Sequence, residues 1–485
     1  MNESTPIENS KALIEATRER VIPPSRRTTL ASVRISPGGY LAVAAVFTFI
    51  SLILLRMGHD LAAFITVVLT WIIIPIVIKT DRVSFDGEKL FRRGLIAIVS
   101  RLIKGKAIEL RVTDIERAET TAVRTVRRGG SVRYRYRTEV TGKGTSLVFA
   151  SGSGFRQLVK LSLAAVSDEK MDARSRELRD YLTDPRLLRH TVRLLGIAST
   201  SVLDNAAEAL PEVGSRRIRH QRAAAIEEVT SGDLERARLL RSAANQLRIA
   251  GRLRESAEAF RRALLVTPND VTLLYEFSRL LRSQASALGQ ARLLSRARAA
   301  LRLAASRQGL AGSSQEQAGS LLARIGETFL ELADVERAAR AFRRAMEINP
   351  QTFRAQLGLA DVALRDGKLA HVIHHYNDAA RIGADEALVR FARREADYYA
   401  RLNDDEDYLA GELRRINWLQ SAQRVQRMTA RAGFASILIA LVGPYISPAA
   451  GSVGLALATS SIIGWSGTMV AIRFLKARRR FLAKA

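Results

Sequence analysis

Residues 319–352 read GSLLARIGETFLELADVERAARAFRRAMEINPQT, and this stretch decides the fold of the middle of the chain. Its apolar and small residues recur at intervals of three and four, a pattern that predicts a pair of amphipathic helices ending at Pro350. Small side chains would let the two helices touch, and aromatic rings would fill the space beside that contact. These positions are Gly326, Ala338, Ala345, Phe329 and Phe342.

The same pattern recurs on both sides with a period of about 34 residues. In 237–270 the matching residues are Leu240, Ala244, Leu247, Phe260, Ala263 and Pro268, and in 353–386 they are Leu359, Ala360, Gly367, Tyr376 and Ala379. Pro268 and Pro350 are 82 residues apart, which exceeds two periods, so the unit between them carries an insertion. The sequence places that insertion at Leu310–Gln317.

The spacing Leu322-x-x-Ile325-Gly326-x-x-Phe329, followed by the positions above, resembles the tetratricopeptide repeat, with Leu322 where that family usually has Trp. The resemblance implies an α-solenoid of stacked helix pairs, in which at least three units are needed to bury the shared face. It also implies a concave groove, lined by the first helix of each pair, that holds peptides or protein termini.

On this resemblance, the partner-binding groove comprises Arg238, Arg241, Asn245, Arg248, Tyr275, Arg279, Arg324 and Arg354. A basic groove favours protein partners with acidic segments. Arg241, Asn245 and Arg324 lie where some members of the family hold a C-terminal carboxylate, but Glu276 and Ser320 stand where Asn and Lys would be expected. The alternative is compositional: 65 of the 76 basic residues are arginine, so arginine would occupy exposed helix faces in any case.

Long apolar runs without charged residues in 39–79 and in 428–473 predict two transmembrane hairpins. In the first, two apolar runs are separated by Arg56-Met-Gly-His-Asp60, and each run is close to the ~20 residues that cross a bilayer. In the second, Gly443-Pro444 and Ser447-Pro448 predict the turn, and the short first limb leaves open whether it spans fully. Buried core helices are the alternative, although such helices normally carry a polar stripe.

Basic residues flank the outer ends of both hairpins and are nearly absent from the loops between their helices. The positive-inside rule therefore predicts that the tail 1–38, the central region and the basic tail 474–485 are all cytoplasmic. The absence of cysteine and the arginine-rich composition, with a net charge of +28, favour a bacterial inner membrane.

Residues 80–165 alternate in the manner of short strands, with turns at Asp86-Gly87 and Arg128–Ser131 and a closing helix from Phe155 to Ala165. This element order resembles the bacterial pleckstrin-homology-like domain. Arg133, Arg135 and Arg137 fall on one face of a strand by its period of two, and would attract anionic lipid headgroups. A solvated outer face is the alternative interpretation, and nucleic acid is not expected as a partner.

The predicted fold is mainly α: a polytopic membrane protein with a helical connector at 166–230, tetratricopeptide-like repeats and a helical cap at 231–427, and a small β-rich cytoplasmic domain. We expect a membrane-anchored scaffold for protein partners, with an anionic-lipid-responsive regulator as the alternative function. No catalytic motif, metal site or cofactor is predicted, although an enzyme is not excluded. Oligomeric state is left open.

Overall fold

The computed structural model describes residues 29–35, 38–104, 108–126, 132–197, 231–306 and 314–482. The chain divides into two compact units. The first contains the described residues of Met1–Val33, Val83–Phe91 and Glu109–Ala396. The second contains those of Arg34–Arg82, Arg92–Ile108 and Asp397–Ala485.

Within the described residues, seven strands form two sheets. The first sheet has the order β1 (Ala31–Arg34), β2 (Arg82–Phe85), β3 (Lys89–Arg93) and β4 (Glu109–Arg111). The second has the order β5 (Arg117–Val126), β6 (Val132–Gly142) and β7 (Thr145–Ala150), all antiparallel. The predicted turn at Arg128–Ser131 lies outside the described residues.

Strand β1 departs from the sequence analysis, which assigned its residues to the N-terminal tail. The backbone N–H of Leu30 donates to the carbonyl of Phe85 at 2.9 Å, and the alternate residues Ala31 and Val33 are buried. A four-residue strand is too short to show a period of two convincingly, so its pattern was not recognisable before its partner was known.

The helical part of the first unit begins with α4 (Phe155–Ala164), α5 (Ala173–Tyr181) and α6 (Pro185–Leu194). The three helices that precede them in the chain, α1 (Gly38–Arg56), α2 (Asp60–Thr80) and α3 (Leu95–Lys104), belong to the second unit. Eight helices then follow as four successive pairs: α7 (Ser231–Ala250), α8 (Leu253–Val266), α9 (Val271–Leu288), α10 (Ala291–Ser306), α11 (Gln315–Glu331), α12 (Val335–Ile348), α13 (Phe353–Arg365) and α14 (Leu369–Ile382). Helix α15 (Glu386–Asp404) comes after them.

The helix pairs pack as the repeat pattern predicts. Phe342 is fully buried between two glycines: a Cβ built on Gly326 would lie 2.6 Å from its ring, and one built on Gly358 would lie 2.3 Å away. Leu322, Ile325 and every small residue named for this unit are likewise buried, so the described helices form a tetratricopeptide-like repeat array. Half of the predicted insertion, residues 310–313, lies outside the described residues, and Gln315 already begins α11.

The second unit contains four helices that are long and apolar enough to cross a membrane: α1 (Gly38–Arg56), α2 (Asp60–Thr80), α16 (Glu406–Ile446) and α17 (Pro448–Leu482). Trp71 of α2 donates from Nε1 to Oγ1 of Thr48 in α1 at 3.1 Å, which links the first two. Gly454 of α17 lies against the backbone of α16, where a Cβ would come within 2.6 Å of the Ala440 nitrogen. Pro444 is inside α16, so the turn falls at Ser447 rather than at the first proline.

Two further features of the second unit adjoin the first hairpin. Asp81 is fully buried directly after α2, and Arg92 donates to both of its carboxylate oxygens, at 2.8 and 2.6 Å. Helix α3 (Leu95–Lys104) follows soon after and is amphipathic. Its exposed apolar residues recur at helical spacing and are Leu95, Ile98, Val99 and Leu102.

The concave face of the helical repeats as candidate functional site

The first helices of the four pairs, α7, α9, α11 and α13, carry every predicted groove residue. A segment of the same chain, Asp168–Tyr181, lies against this face and contacts side chains from all four helices. This segment comprises a short 3₁₀ turn (Asp168–Lys170) and helix α5, and we call it the inner segment. The face that the resemblance predicts to be the concave groove is therefore occupied by residues of the chain itself.

Local sequence explains why the inner segment adopts this conformation. Asp172 is the N-cap of α5, because its carboxylate accepts from the Ser175 N–H at 2.8 Å. The opposite side of the segment binds strand β5: the Asp172 N–H donates to the carbonyl of Ala118 at 3.0 Å, and the hydroxyls of Ser175 and Thr120 lie 2.8 Å apart. The inner segment is thus held between the second sheet and the repeats.

Glu177 is the central acidic contact of the inner segment. Its carboxylate lies 2.9 Å from Nη2 of Arg248 and also pairs with Arg279, and both guanidinium groups are about 95% buried. Burial raises the pKa of Glu177, but the two guanidinium groups more than offset this and lower the pKa to about 2. The carboxylate is therefore charged at neutral pH and joins α5 to helices α7 and α9.

A second, partly buried carboxylate belongs to the repeats: Glu327 of α11 binds an arginine of the inner segment. It lies 2.7 Å from Arg176 of α5 and pairs also with Arg354 of α13, which donates in turn to the Met171 carbonyl at 2.9 Å. Burial raises the pKa of Glu327, and the two arginines outweigh it and lower the pKa to about 2. Arginine from the segment and arginine from the groove share one carboxylate.

The positions that resemble a carboxylate clamp are also engaged within the chain. Arg241 donates to Glu276 at 2.7 and 3.1 Å, and Asn245 donates to it at 2.8 Å. Glu276 also accepts from the Tyr181 hydroxyl at 2.7 Å. A carboxylate of α9 is therefore the partner of both Arg241 and Asn245, and it belongs to Glu276, where the resemblance led us to expect Asn.

The structure brings together most of the predicted groove residues. Arg324 pairs with Asp168 of the inner segment at 2.6 Å, and Tyr275 is buried with its ring centroid 5.9 Å from the Arg279 guanidinium carbon. Arg238 is exposed and is not among the contacts of the inner segment described above. On β6, the alternation is as predicted: Arg133, Arg135 and Arg137 are exposed, while Tyr136 is buried.

Sequence reasoning missed the inner segment, which it assigned to a connector without chemistry. The available signal was the pair of acidic residues Asp168 and Glu177, together with the N-cap Asp172. Nothing in their spacing indicates that their partners lie about 70–190 residues further along the chain. The sequence predicted an acidic segment of a partner protein in the basic groove, whereas the acidic residues that contact these arginines in the structure belong to the same polypeptide.

No protein-family model and no curated protein sequence matches this chain. Among solved structures it is similar to the crystal structure of MamA protein, with 19% identity and a TM-score of 0.25, covering 36% of this chain and 95% of that one. A second MamA crystal structure gives 18% identity and a TM-score of 0.24, covering 35% and 96%. These scores are too low to bear on function, and the tetratricopeptide-like description of the repeats rests on their own packing.

Proposed function

We propose that this protein is a membrane-anchored scaffold whose concave repeat face binds acidic segments of partner proteins. The observation that supports it is the mode of binding of the inner segment, whose Glu177 and Asp168 are held by groove arginines. A face that selects acidic side chains from its own chain has the chemistry to select them from another. In this conformation the inner segment occupies the site, so a partner protein has to displace it in order to bind.

A peptide-exchange experiment tests this proposal. The probe is a fluorescent peptide of residues 167–182, offered to the full chain and to its Asp168→Asn, Glu177→Gln variant, in which the inner segment is weakened. The peptide should bind the variant at least tenfold more tightly than the wild type. A control peptide with Gln in place of Glu177 should bind neither.

The opposite result is equally informative. Hydrogen exchange of α5 reports whether the inner segment has opened in the variant. An opened segment with no peptide binding would mean that the concave face is an internal packing surface, and the scaffold proposal would then lose its site.

Membrane anchoring is part of the proposal, and it is supported by the four long apolar helices and by helix α3. The exposed apolar residues of α3, with Arg101 and Lys104 on the same helix, are typical of a helix that lies in the membrane interface. We infer an integral protein of the bacterial inner membrane with its termini, sheets and repeats cytoplasmic.

Because the chain lacks cysteine, single cysteines can test this topology without background. His59→Cys and Tyr445→Cys place a thiol at the end of each hairpin, and Glu386→Cys places an exposed one after the repeats. In intact cells, a membrane-impermeant maleimide should label the first two and spare the third. If only Glu386→Cys were labelled, the orientation in the membrane would be the opposite of the one proposed.

The exposed row Arg133, Arg135 and Arg137 favours a second candidate, regulation by anionic lipid. In nanodiscs, raising the phosphatidylglycerol content should then slow hydrogen exchange in β6. A triple Gln variant should abolish this dependence, and equal exchange in neutral and anionic discs would exclude the lipid-responsive function.

A further inference from the structure

A cavity of about 290 Å³ lies beside the inner segment, between the second sheet and the repeats. Strands β5 and β6 form one wall, α5 another, and α7 and α9 the remainder. Its charged lining residues are Arg124, Arg174, Arg248, Arg279, Arg282 and Glu177. Arg124 and the neighbouring Ser286 are exposed, so the cavity is accessible to a solute.

The carboxylates nearby do not balance these arginines. Glu177 pairs with Arg248 and Arg279, and Glu331, just beyond the lining, pairs with Arg282. Five guanidinium groups thus face two carboxylates.

Two of the five, Arg124 and Arg174, have no carboxylate partner among the residues that the structure describes. Arg124 donates only to the hydroxyl and carbonyl oxygens of Ser286. In addition, Nε of the buried Arg248 has no hydrogen-bond partner within the described chain.

Arg282 shares the cavity with four other arginines, and like charges this close together repel one another. Burial lowers its pKa, and the charges of Arg279 and Arg174 lower it further, to about 10. A bound anion would relieve this repulsion and supply acceptors for the unused N–H groups. Phosphate suits the site better than a single carboxylate, since it carries up to two charges and accepts paired hydrogen bonds from several guanidinium groups.

We propose that this cavity binds a phosphorylated ligand, with Arg124 and Arg174 as its principal contacts and Tyr134 as an aromatic wall. The volume is at the small end of ligand pockets, which run from about 300 to 1,000 Å³, and excludes a helix or a folded peptide. A soluble phosphate ester and a phosphomonoester lipid headgroup share the required chemistry. The proposal does not depend on protein binding by the concave face.

The test uses the full chain in phosphate-free detergent, titrated with inorganic pyrophosphate by calorimetry. Arg124→Gln and Arg174→Gln should each weaken binding at least tenfold, because each removes a charge-assisted contact. Arg236→Gln, an exposed arginine on α7 that does not line the cavity, is the matched control and should bind like the wild type. Hydrogen exchange of α5 checks that each variant retains its fold.

A second arm distinguishes the source of the phosphate. The same variants are placed in nanodiscs containing phosphatidic acid or only phosphatidylcholine, and exchange in β5 and β6 is measured. Arginine-dependent binding of pyrophosphate with no lipid effect identifies a soluble ligand, and an arginine-dependent effect of phosphatidic acid identifies a headgroup. Absence of both, or binding that is equal in all variants, overturns the proposal.

Discussion

Replacing Glu177 with Gln keeps the size of the side chain and removes the charge that joins α5 to two helices of the repeat array. Arg248 and Arg279 would then remain buried without their carboxylate. A pKa of about 2, against the ordinary 4.5, corresponds to about 3 kcal/mol of stabilisation at neutral pH. Loss of one partner from a buried ion pair costs about 3–5 kcal/mol, which agrees.

The expected consequence is local opening of the inner segment. A loss of about 3 kcal/mol raises the opening equilibrium roughly 100-fold, so the amides of α5 should exchange roughly 100-fold faster. Hydrogen exchange with mass spectrometry on the full chain in detergent resolves this segment from the rest. The matched control is Glu386→Gln, since Glu386 is 87% exposed and its pair with Arg390 is worth less than about 0.5 kcal/mol.

Hydrogen exchange in α5 that is unchanged in Glu177→Gln, or changed equally in the control, would refute this account of the groove.

The pH dependence of stability supplies a separate check. A carboxylate with a lowered folded-state pKa stabilises the fold fully above its unfolded value, and that stabilisation disappears as the pH falls through the folded value. The difference between wild type and Glu177→Gln should therefore be constant above pH 4.5 and narrow towards zero near pH 2.

Two further substitutions test the packing of each unit. Gly358→Ala would place a methyl group against the buried ring of Phe342 and should lower the free energy of unfolding by about 1–3 kcal/mol. Gly411→Ala, with open space around it, is the control and should be neutral or stabilising. Thermal unfolding followed by circular dichroism compares the two variants, and equal melting temperatures would contradict the packing described for Gly358. Arg92→Ala would leave the carboxylate of Asp81 buried and unpaired, at a cost of about 3–5 kcal/mol. All three tryptophans lie in the second unit, so their fluorescence during denaturation should report this loss of stability. The control Arg101→Ala, which replaces an exposed arginine, should leave the stability unchanged.

The sequence predicted the helical repeats because their signals are local. Gly326 and Phe342 are 16 residues apart, and their contact follows from helix geometry and from the absence of a side chain at Gly326. The apolar helices were equally recognisable, since a long uncharged run needs no knowledge of its neighbours. Likewise, the alternation in β6 correctly separated the exposed arginines from the buried Tyr136.

The features that could not be predicted depend on contacts between distant parts of the chain. Arg354 was predicted to line the groove, but its hydrogen bond to the Met171 carbonyl joins residues 183 positions apart. No periodicity encodes such a pairing, because it arises only after the sheet and the repeats have both formed. Helix α3 was missed for a different reason: ten residues are too few for a reliable helical pattern between two strands.

Strand β1 has a consequence for how the protein is made. Its partner β2 follows the first apolar hairpin in the sequence. The backbone N–H of Ile35 donates to the Asp81 carbonyl at 3.3 Å, so the hairpin brings the two strands together. During translation β1 leaves the ribosome first and must wait, unpaired, until α1 and α2 have formed. If the hairpin crosses the bilayer, only an insertion that returns β2 to the compartment of β1 allows the sheet to close. Insertion of only one of the two helices would leave β1 and β2 in different compartments and the sheet without its edge strand, so complete insertion of the hairpin is a precondition for closing the first sheet.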